Sequence, residues 1–250
     1  MTTTLAVTGK SGSGKTTLTK GFLRVFQEYF PDKSILLVDN DLSGELGHSF
    51  GYDIRNTIYG IRNGKHEYKT GIPDNMSKQE YVEWAMEDIV FQLEENVDII
   101  VTWLVASKDC RCPITGLIND AVLKLISRYD FVIFDCEFDL KYLSQLIDIN
   151  FDTTIIAARP YEESIVLAKR IDTYSEKYAG AGQMGVVLNA VQTQDMEKVY
   201  NLLDKYGLKT LGAVPFDENL VQNPLYRESK VVINAIKDFY SRLNLPQVIE

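Results

Sequence analysis

The sequence predicts an α/β fold, a mostly parallel sheet flanked by helices on both faces, and three observations predict it. Apolar runs of strand length alternate with longer stretches of helical period. A turn rich in glycine and serine, Gly9-Lys10-Ser11-Gly12-Ser13-Gly14, separates the first apolar run from the first helical one. Two later runs, Ile35-Leu36-Leu37-Val38 and Phe131-Val132-Ile133-Phe134, end directly on an acid, Asp39 and Asp135; in parallel sheets such strand ends face the ligand crevice.

Taken in order, a strand is expected over 4–8, followed by the glycine turn and a helix over 15–30. A strand over 34–39 precedes a polar, glycine- and lysine-containing stretch, 60–75, read as a surface excursion. Helical period resumes over 77–94, then a strand over 97–103, a helix over 114–129 and a strand over 131–135. The second half repeats the alternation: helix 140–147, strand 153–158, helix 162–178, strand 185–188, helix 195–206, strand 209–214 and a final helix over 231–243. That last helix places Val232, Ile236, Phe239, Tyr240 and Leu243 on one face. It is weakly basic, unlike membrane-surface anchors, so its apolar face is expected in the core.

At 250 residues, with no internal repeat, low-complexity tract or proline-rich linker, residues 1–250 are expected to form a single domain. A net charge of −9 argues against an extended nucleic-acid footprint, which needs a basic face. The longest apolar candidate, 99–106, falls far short of the roughly 18 to 20 residues that span a bilayer. The chain begins with a strand rather than a charged segment and an apolar leader, which points to a cytoplasmic protein with neither membrane nor nucleic acid as partner. Three cysteines, Cys110, Cys112 and Cys136, are too few for a disulfide scaffold.

Gly9, Gly14, Lys15 and Thr16 satisfy G-x-x-x-x-G-K-[ST] between a strand and a helix, the context its mechanism requires. Glycines let the backbone curl until successive N–H groups, from Gly12, Ser13 and Gly14 through Lys15, Thr16 and Thr17, point at phosphate oxygens. The start of the next helix adds partial positive charge. Lys15 would reach the β- and γ-phosphates and the Thr16 hydroxyl would bind Mg²⁺. A ligand-free turn would explain neither Lys15 nor the flanking elements. Mg²⁺ also needs carboxylates: Asp135 is the Walker B candidate and Asp39 follows its strand in the same way, although either acid alone could serve as a cap or loop residue.

Lys10, directly after the first glycine, resembles the deviant Walker A motif of the MinD, ParA, ArsA and nitrogenase iron protein class, the SIMIBI-type P-loop NTPases. The resemblance implies an ATP hydrolase in which this lysine reaches the partner's nucleotide across a homodimer interface. Within the class, the chain is similar to CooC-type nickel-insertion ATPases of carbon monoxide dehydrogenase and acetyl-CoA synthase maturation. The similarity rests on Asp39-Asn40-Asp41, the stretches 46–51 and 71–81, Cys110-Arg111-Cys112, Asp135-Cys136-Glu137, Gly185-Val186-Val187-Leu188-Asn189 and Gly212-Ala213-Val214-Pro215. It implies ATP and ADP as nucleotides, Lys10, Lys15 and Asp41 as catalytic residues, with Asp41 orienting the attacking water, and Asn189 at the adenine, with Pro215 also in the nucleotide site. It further implies a nickel enzyme as client.

Cysteines two positions apart project to one side of an extended backbone, so a symmetric dimer offers four thiolates, a set suited to Ni²⁺ or Zn²⁺. The resemblance implies Cys110 and Cys112 as that interfacial site; a pair of thiols without ligand is the plain alternative. Cys136 is expected in the core, and His48 and His66, lacking spacing partners, are read as structural. Phe138 and Asp139 stand where the family carries an Ala-Gly pair, which puts the hydrolysis rate in question. Two other readings stay open: an ATP-dependent iron–sulfur reductase component, and a MinD- or ParA-like positioning ATPase.

Overall fold

The computed structural model describes residues 2–54, 56–63, 72–102, 113–137, 149–175, 182–222 and 229–247. The chain opens with β1 (Thr3–Gly9), turns through the glycine loop into α1 (Lys15–Tyr29), and returns as β2 (Ile35–Asn40). Two short helices, α2 (Glu45–Ser49) and α3 (Ile58–Asn63), precede α4 (Lys78–Asp88), the hairpin of β3 (Phe91–Glu94) and β4 (Val97–Val101), and α5 (Pro113–Ile126). Then follow β5 (Phe131–Cys136), β6 (Thr153–Ala158), α6 (Glu162–Ser175), β7 (Gln183–Val191), α7 (Met196–Lys205), β8 (Thr210–Pro215), α8 (Glu218–Gln222) and α9 (Lys230–Tyr240).

Eight strands form one sheet in the order β3-β4-β2-β5-β1-β6-β7-β8, parallel throughout except for β3, which pairs antiparallel with β4. Alternation along the strands divides the core. Leu5, Val7, Ile35 and Leu37 face α1 and α9, where they meet Phe22, Phe26, Ile236 and Phe239. Ala6, Leu36, Val38 and Phe134 face the other way, onto Val82 and Met86 of α4 and Val122 and Leu125 of α5. Ile156 and Leu188 extend that second layer over α6 and α7. The predicted fold class is the observed one.

The final helix packs as expected. Val232, Ala235, Ile236, Phe239 and Tyr240 are buried, with Phe239 edge-on to Phe22 at 6.4 Å and Tyr240 edge-on to Tyr29 at 5.1 Å. Among the described residues no helix is long and apolar enough to cross a membrane.

The short helices α2, α3 and α8 have no counterpart among the expected elements, α3 taking residues 60–63 of the stretch read as a surface excursion, and one expected element is divided. The helix read over 77–94 stops at Asp88, and Phe91–Glu94 forms an edge strand instead. Ser77 opens the helix in a capping box with Glu80, whose N–H reaches Ser77 Oγ at 3.2 Å while Ser77 N–H reaches the Glu80 carboxylate at 2.7 Å. Met86, Val90 and Leu93 continue the helical period beyond Asp88, which hides the change. The hairpin turn through Asn96, at φ +59°, imposes it, and Phe91 stacks on Tyr52 at 4.2 Å while Arg24 and Gln27 grip the Glu94 carboxylate. The helix expected over 140–147 lies outside the described residues.

Candidate functional site

In-register parallel pairing of β2 with β5 sets Asp39 opposite Asp135, and pairing of β1 with β5 sets Val7 opposite Asp135. The two acids therefore sit side by side at the carboxyl edge of the sheet, next to the strand that feeds the glycine loop. Both are fully buried. Asp39 is held by the backbone that follows it, with Asp41 N–H on one oxygen at 3.2 Å and Gly47 N–H on the other at 2.9 Å. Burial raises its pKa to about 6 against the pull of those two bonds. Asp135 is pushed further, to about 7, again chiefly by burial, with Asp39 and Asp41 raising it and Thr16 and Lys15 lowering it. The Thr16 hydroxyl stands close enough to lower Asp135 without closing a bond of normal geometry, and both Asp135 oxygens are buried with no hydrogen-bond partner.

The loop between β1 and α1 supplies the other half of the site. Gly9 cannot be replaced in place, because a Cβ there would lie 2.4 Å from the Ala157 carbonyl oxygen. Gly14, the residue before α1, has φ +91°, and a Cβ on it would meet Asn189 Nδ2 at 1.8 Å. Within the loop, Ser13 N–H bonds to the Lys10 carbonyl at 3.0 Å, and the helix ladder begins with Leu18 N–H on the Gly14 carbonyl at 3.0 Å. The N–H groups at the start of α1 have no carbonyl in the helix to meet. Lys15 and Thr16 are both buried at this end, whereas Lys10, Ser11 and Gly12 are exposed.

Two orphaned carboxylate oxygens, a second buried carboxylate and an adjacent hydroxyl form an all-oxygen donor set, which fits Mg²⁺, an ion that keeps several of its waters and takes few protein ligands. Asp39, Asp135 and Thr16 would hold it. Asp41 lies nearby, half-buried, its carboxylate accepting Ser43 N–H at 2.8 Å and Ser43 Oγ–H at 2.6 Å. Asn189 donates through Nδ2 to the Ser13 carbonyl at 2.9 Å, so one end of its amide is committed to the loop. The next residue, Ala190, has φ +57°, and the β7–β8 register shifts there; bulges of this kind re-aim neighbouring side chains. Pro215, at the end of β8, pairs with Val191 and is exposed.

Two contributors had no role read for them in the sequence: Gly47, within the stretch 46–51, which caps Asp39, and Arg159, whose Nε–H reaches the Gly12 carbonyl at 3.0 Å. Gly47 acts through its own backbone N–H and Arg159 on a backbone carbonyl far away in the chain, and neither contact leaves a residue-type pattern at fixed spacing. Cys136 is buried in the core as expected, and burial pushes its thiol well up. His48 is exposed in α2. Among the described residues no group of three or more His, Cys, Asp or Glu could hold a metal ion. Cys110, Cys112, Phe138, Asp139 and His66 lie outside the described residues.

The chain matches the CobQ/CobB/MinD/ParA nucleotide binding domain family over residues 4–231 and belongs to it. It is 26% identical over 224 residues to an uncharacterised ATP-binding protein of Methanocaldococcus jannaschii, covering 88% of this chain and 87% of that protein. Its fold is that of a ParA family ATPase from Chlorobium tepidum, with a TM-score of 0.72 at 18% identity, covering 97% of this chain and 100% of the other. It is equally that of the septum site-determining protein MinD from Pyrococcus horikoshii complexed with Mg-ADP, with a TM-score of 0.63 at 19% identity over 97% and 96% of the two chains.

Proposed function

We propose that this member of the CobQ/CobB/MinD/ParA family is an ATP-driven dimerising switch of the MinD/ParA kind, built as one ATPase domain over 1–250. Two copies close over Mg·ATP and open when it is hydrolysed. The observation that carries the reading is the buried Asp39–Asp135 pair beside Lys15 and Thr16: a cluster with a buried carboxylate left unpartnered, the kind of group that marks a ligand site. The N–H groups from Gly12 to Thr17, except that of Ser13, which the Lys10 carbonyl takes, would bind the phosphates, with Lys15, and Lys10 from the partner copy, opposing the charge that would develop during phosphoryl transfer. Asp41 would orient the attacking water once freed from Ser43. Asn189 and Pro215 would border the base. Mg²⁺ neutralises charge on the β- and γ-phosphates when bound.

The client of the switch is read as a protein. The net charge of −9 disfavours DNA, and the apolar face of α9 is spent on the core rather than left for a bilayer. Sedimentation velocity tests the reading: a non-hydrolysable ATP analogue with Mg²⁺ should convert monomer to dimer, ADP should not, and Lys10→Ala should block the conversion while still binding ADP. A sedimentation coefficient unmoved by the analogue would refute it.

A second reading, nickel delivery to carbon monoxide dehydrogenase or acetyl-CoA synthase, is favoured by Cys110-Arg111-Cys112 and by the position from which that segment departs. Thr102 donates its N–H to the Asp39 carbonyl at 2.9 Å and its hydroxyl to Asn40 at 2.6 Å, so the chain leading to the cysteines leaves from the nucleotide edge of the sheet. In a closed dimer the four thiolates would take Ni²⁺ or Zn²⁺. Anaerobic calorimetry should show tight Ni²⁺ binding that Cys110→Ser with Cys112→Ser abolishes; equal affinity in the two proteins defeats this second reading and leaves the first standing.

A further inference from the structure

Arg159 follows β6 and has no place in the phosphate-loop motif, yet it touches that loop. Its Nε–H donates to the Gly12 carbonyl at 3.0 Å. Its own backbone N–H is held by Ser164 Oγ at 2.9 Å, and Ser164, in the first turn of α6, is buried. The root of the side chain is thereby fixed to α6 while its head lies on the loop. Among the described residues no carboxylate pairs with this guanidinium.

Asn189 does for the next carbonyl what Arg159 does for Gly12. It comes from β7, two strands from the loop, and donates to the Ser13 carbonyl at 2.9 Å. The Lys10 carbonyl is taken by Ser13 N–H. All three oxygens are thus engaged by donors, two of them side chains from neighbouring strands. A carbonyl oxygen turned toward a triphosphate would repel it. With the Gly12 oxygen tied back by Arg159, the N–H of the same peptide, that of Ser13, closes the turn of the lip onto the Lys10 carbonyl, while the Ser13 oxygen tied back by Asn189 turns the Gly14 N–H the other way. The stretch that needs such support is also the one that gets least from packing, since Lys10, Ser11 and Gly12 are exposed and a Cβ at Gly12 would meet nothing within 4 Å.

We infer that Arg159 is a positioning residue for nucleotide binding: it ties back the Gly12 carbonyl, fixes the exposed lip of the phosphate loop, and brings a positive charge to the phosphate loop. The inference rests on the nucleotide-site reading given above. Because the lip is common to every nucleotide that fills the loop, Arg159 acts on the diphosphate and the triphosphate alike.

The test is calorimetry of Mg·ADP and of a Mg-bound non-hydrolysable ATP analogue on the full chain, with amide hydrogen exchange over residues 10–14 in the nucleotide-free protein. Arg159→Met keeps the apolar stem and removes the donor. It should weaken both nucleotides by roughly tenfold, the scale of one charge-assisted hydrogen bond, and speed exchange of the loop amides, with the melting temperature held. Arg159→Lys should recover part of the affinity through its charge and a less well-placed donor. Arg159→Gln serves if the Met variant does not fold. Affinities for both nucleotides within twofold of wild type would overturn the inference, as would loss confined to the ATP analogue, which would make Arg159 a γ-phosphate contact. A wild-type chain that binds neither nucleotide overturns the site reading itself, and that is read before any variant is made.

Discussion

Strand β5 begins just after one aspartate and carries another near its end, and the two live in opposite conditions. At the amino edge of the sheet, Asp130 accepts from Ser34 N–H at 3.0 Å, Ser34 Oγ at 3.1 Å and Lys33 Nζ at 2.9 Å, and these partners, Lys33 first, hold its carboxyl below the usual range. At the same edge Asp152 takes the N–H and hydroxyl of Thr4 at 2.8 and 2.9 Å. At the carboxyl edge, Asp135 has no hydrogen-bond partner and burial has driven it up to about 7. An acid that joins elements is paired by the chain. An acid kept for a ligand is left for the ligand to pair, and the fold bears the cost until it arrives.

The sharpest way to break this comparison is to remove the charge at one edge only. Asp135→Asn should raise the stability of the nucleotide-free protein by about 2 kcal/mol at pH 8, the scale on which an unpartnered buried charge penalises a fold. The same change should abolish measurable Mg·ADP binding. Urea unfolding and calorimetry on one preparation check both, and a destabilised variant with intact binding would reverse the assignment.

Acidity separates the edges next. Asp39 and Asp135 are raised from a common value of 3.8 to about 6 and about 7, so between roughly pH 4 and 7 the folded chain binds more protons than the unfolded one, and their contribution to stability falls as pH rises through that window. Asp130 is lowered, so its contribution is present above the unfolded value and is lost as pH falls through its folded value. Unfolding free energies measured across pH 4 to 8 should therefore slope downward for wild type and less steeply for Asp135→Asn. Identical slopes would show that burial does not penalise that carboxylate.

The smallest effect belongs to the amino edge. Asp130→Ala should cost about 1 kcal/mol, discounted because the Lys33 pair is largely exposed, and should leave Mg·ADP affinity unchanged. Any fall in affinity would mean that the two edges are coupled.

Much of the carboxyl edge was legible in the sequence because its chemistry needs particular residue types at fixed places. Glycines at 9 and 14, Lys15 and Thr16 mark the loop, and apolar runs ending on Asp39 and Asp135 mark the strand ends; the in-register pairing of those acids follows once the strands lie side by side. The roles of Arg159 and Gly47 were not legible, since Gly47 donates a backbone N–H that almost any residue possesses and Arg159 meets a backbone carbonyl 147 positions away. The β3 hairpin was read through as helix because Val90 and Leu93 keep the helical period across a turn that only Asn96 announces. Asn189 shows a subtler limit: the resemblance sends it to the adenine, while its amide nitrogen is spent on Ser13, a contact that depends on how far β7 runs past the loop.

The central claim is that the Asp39–Asp135 pair is reserved for Mg²⁺ and nucleotide, and proton counting reaches it most directly. Calorimetry of Mg·ADP binding at pH 7 in two buffers of different ionisation enthalpy gives the protons released. Wild type should release a substantial fraction of a proton at pH 7, and less at pH 8, as the raised Asp135 ionises to meet the ligand. A wild-type chain that binds Mg·ADP with no release attributable to these carboxylates, and with the same affinity at pH 6 and pH 8, would contradict the account.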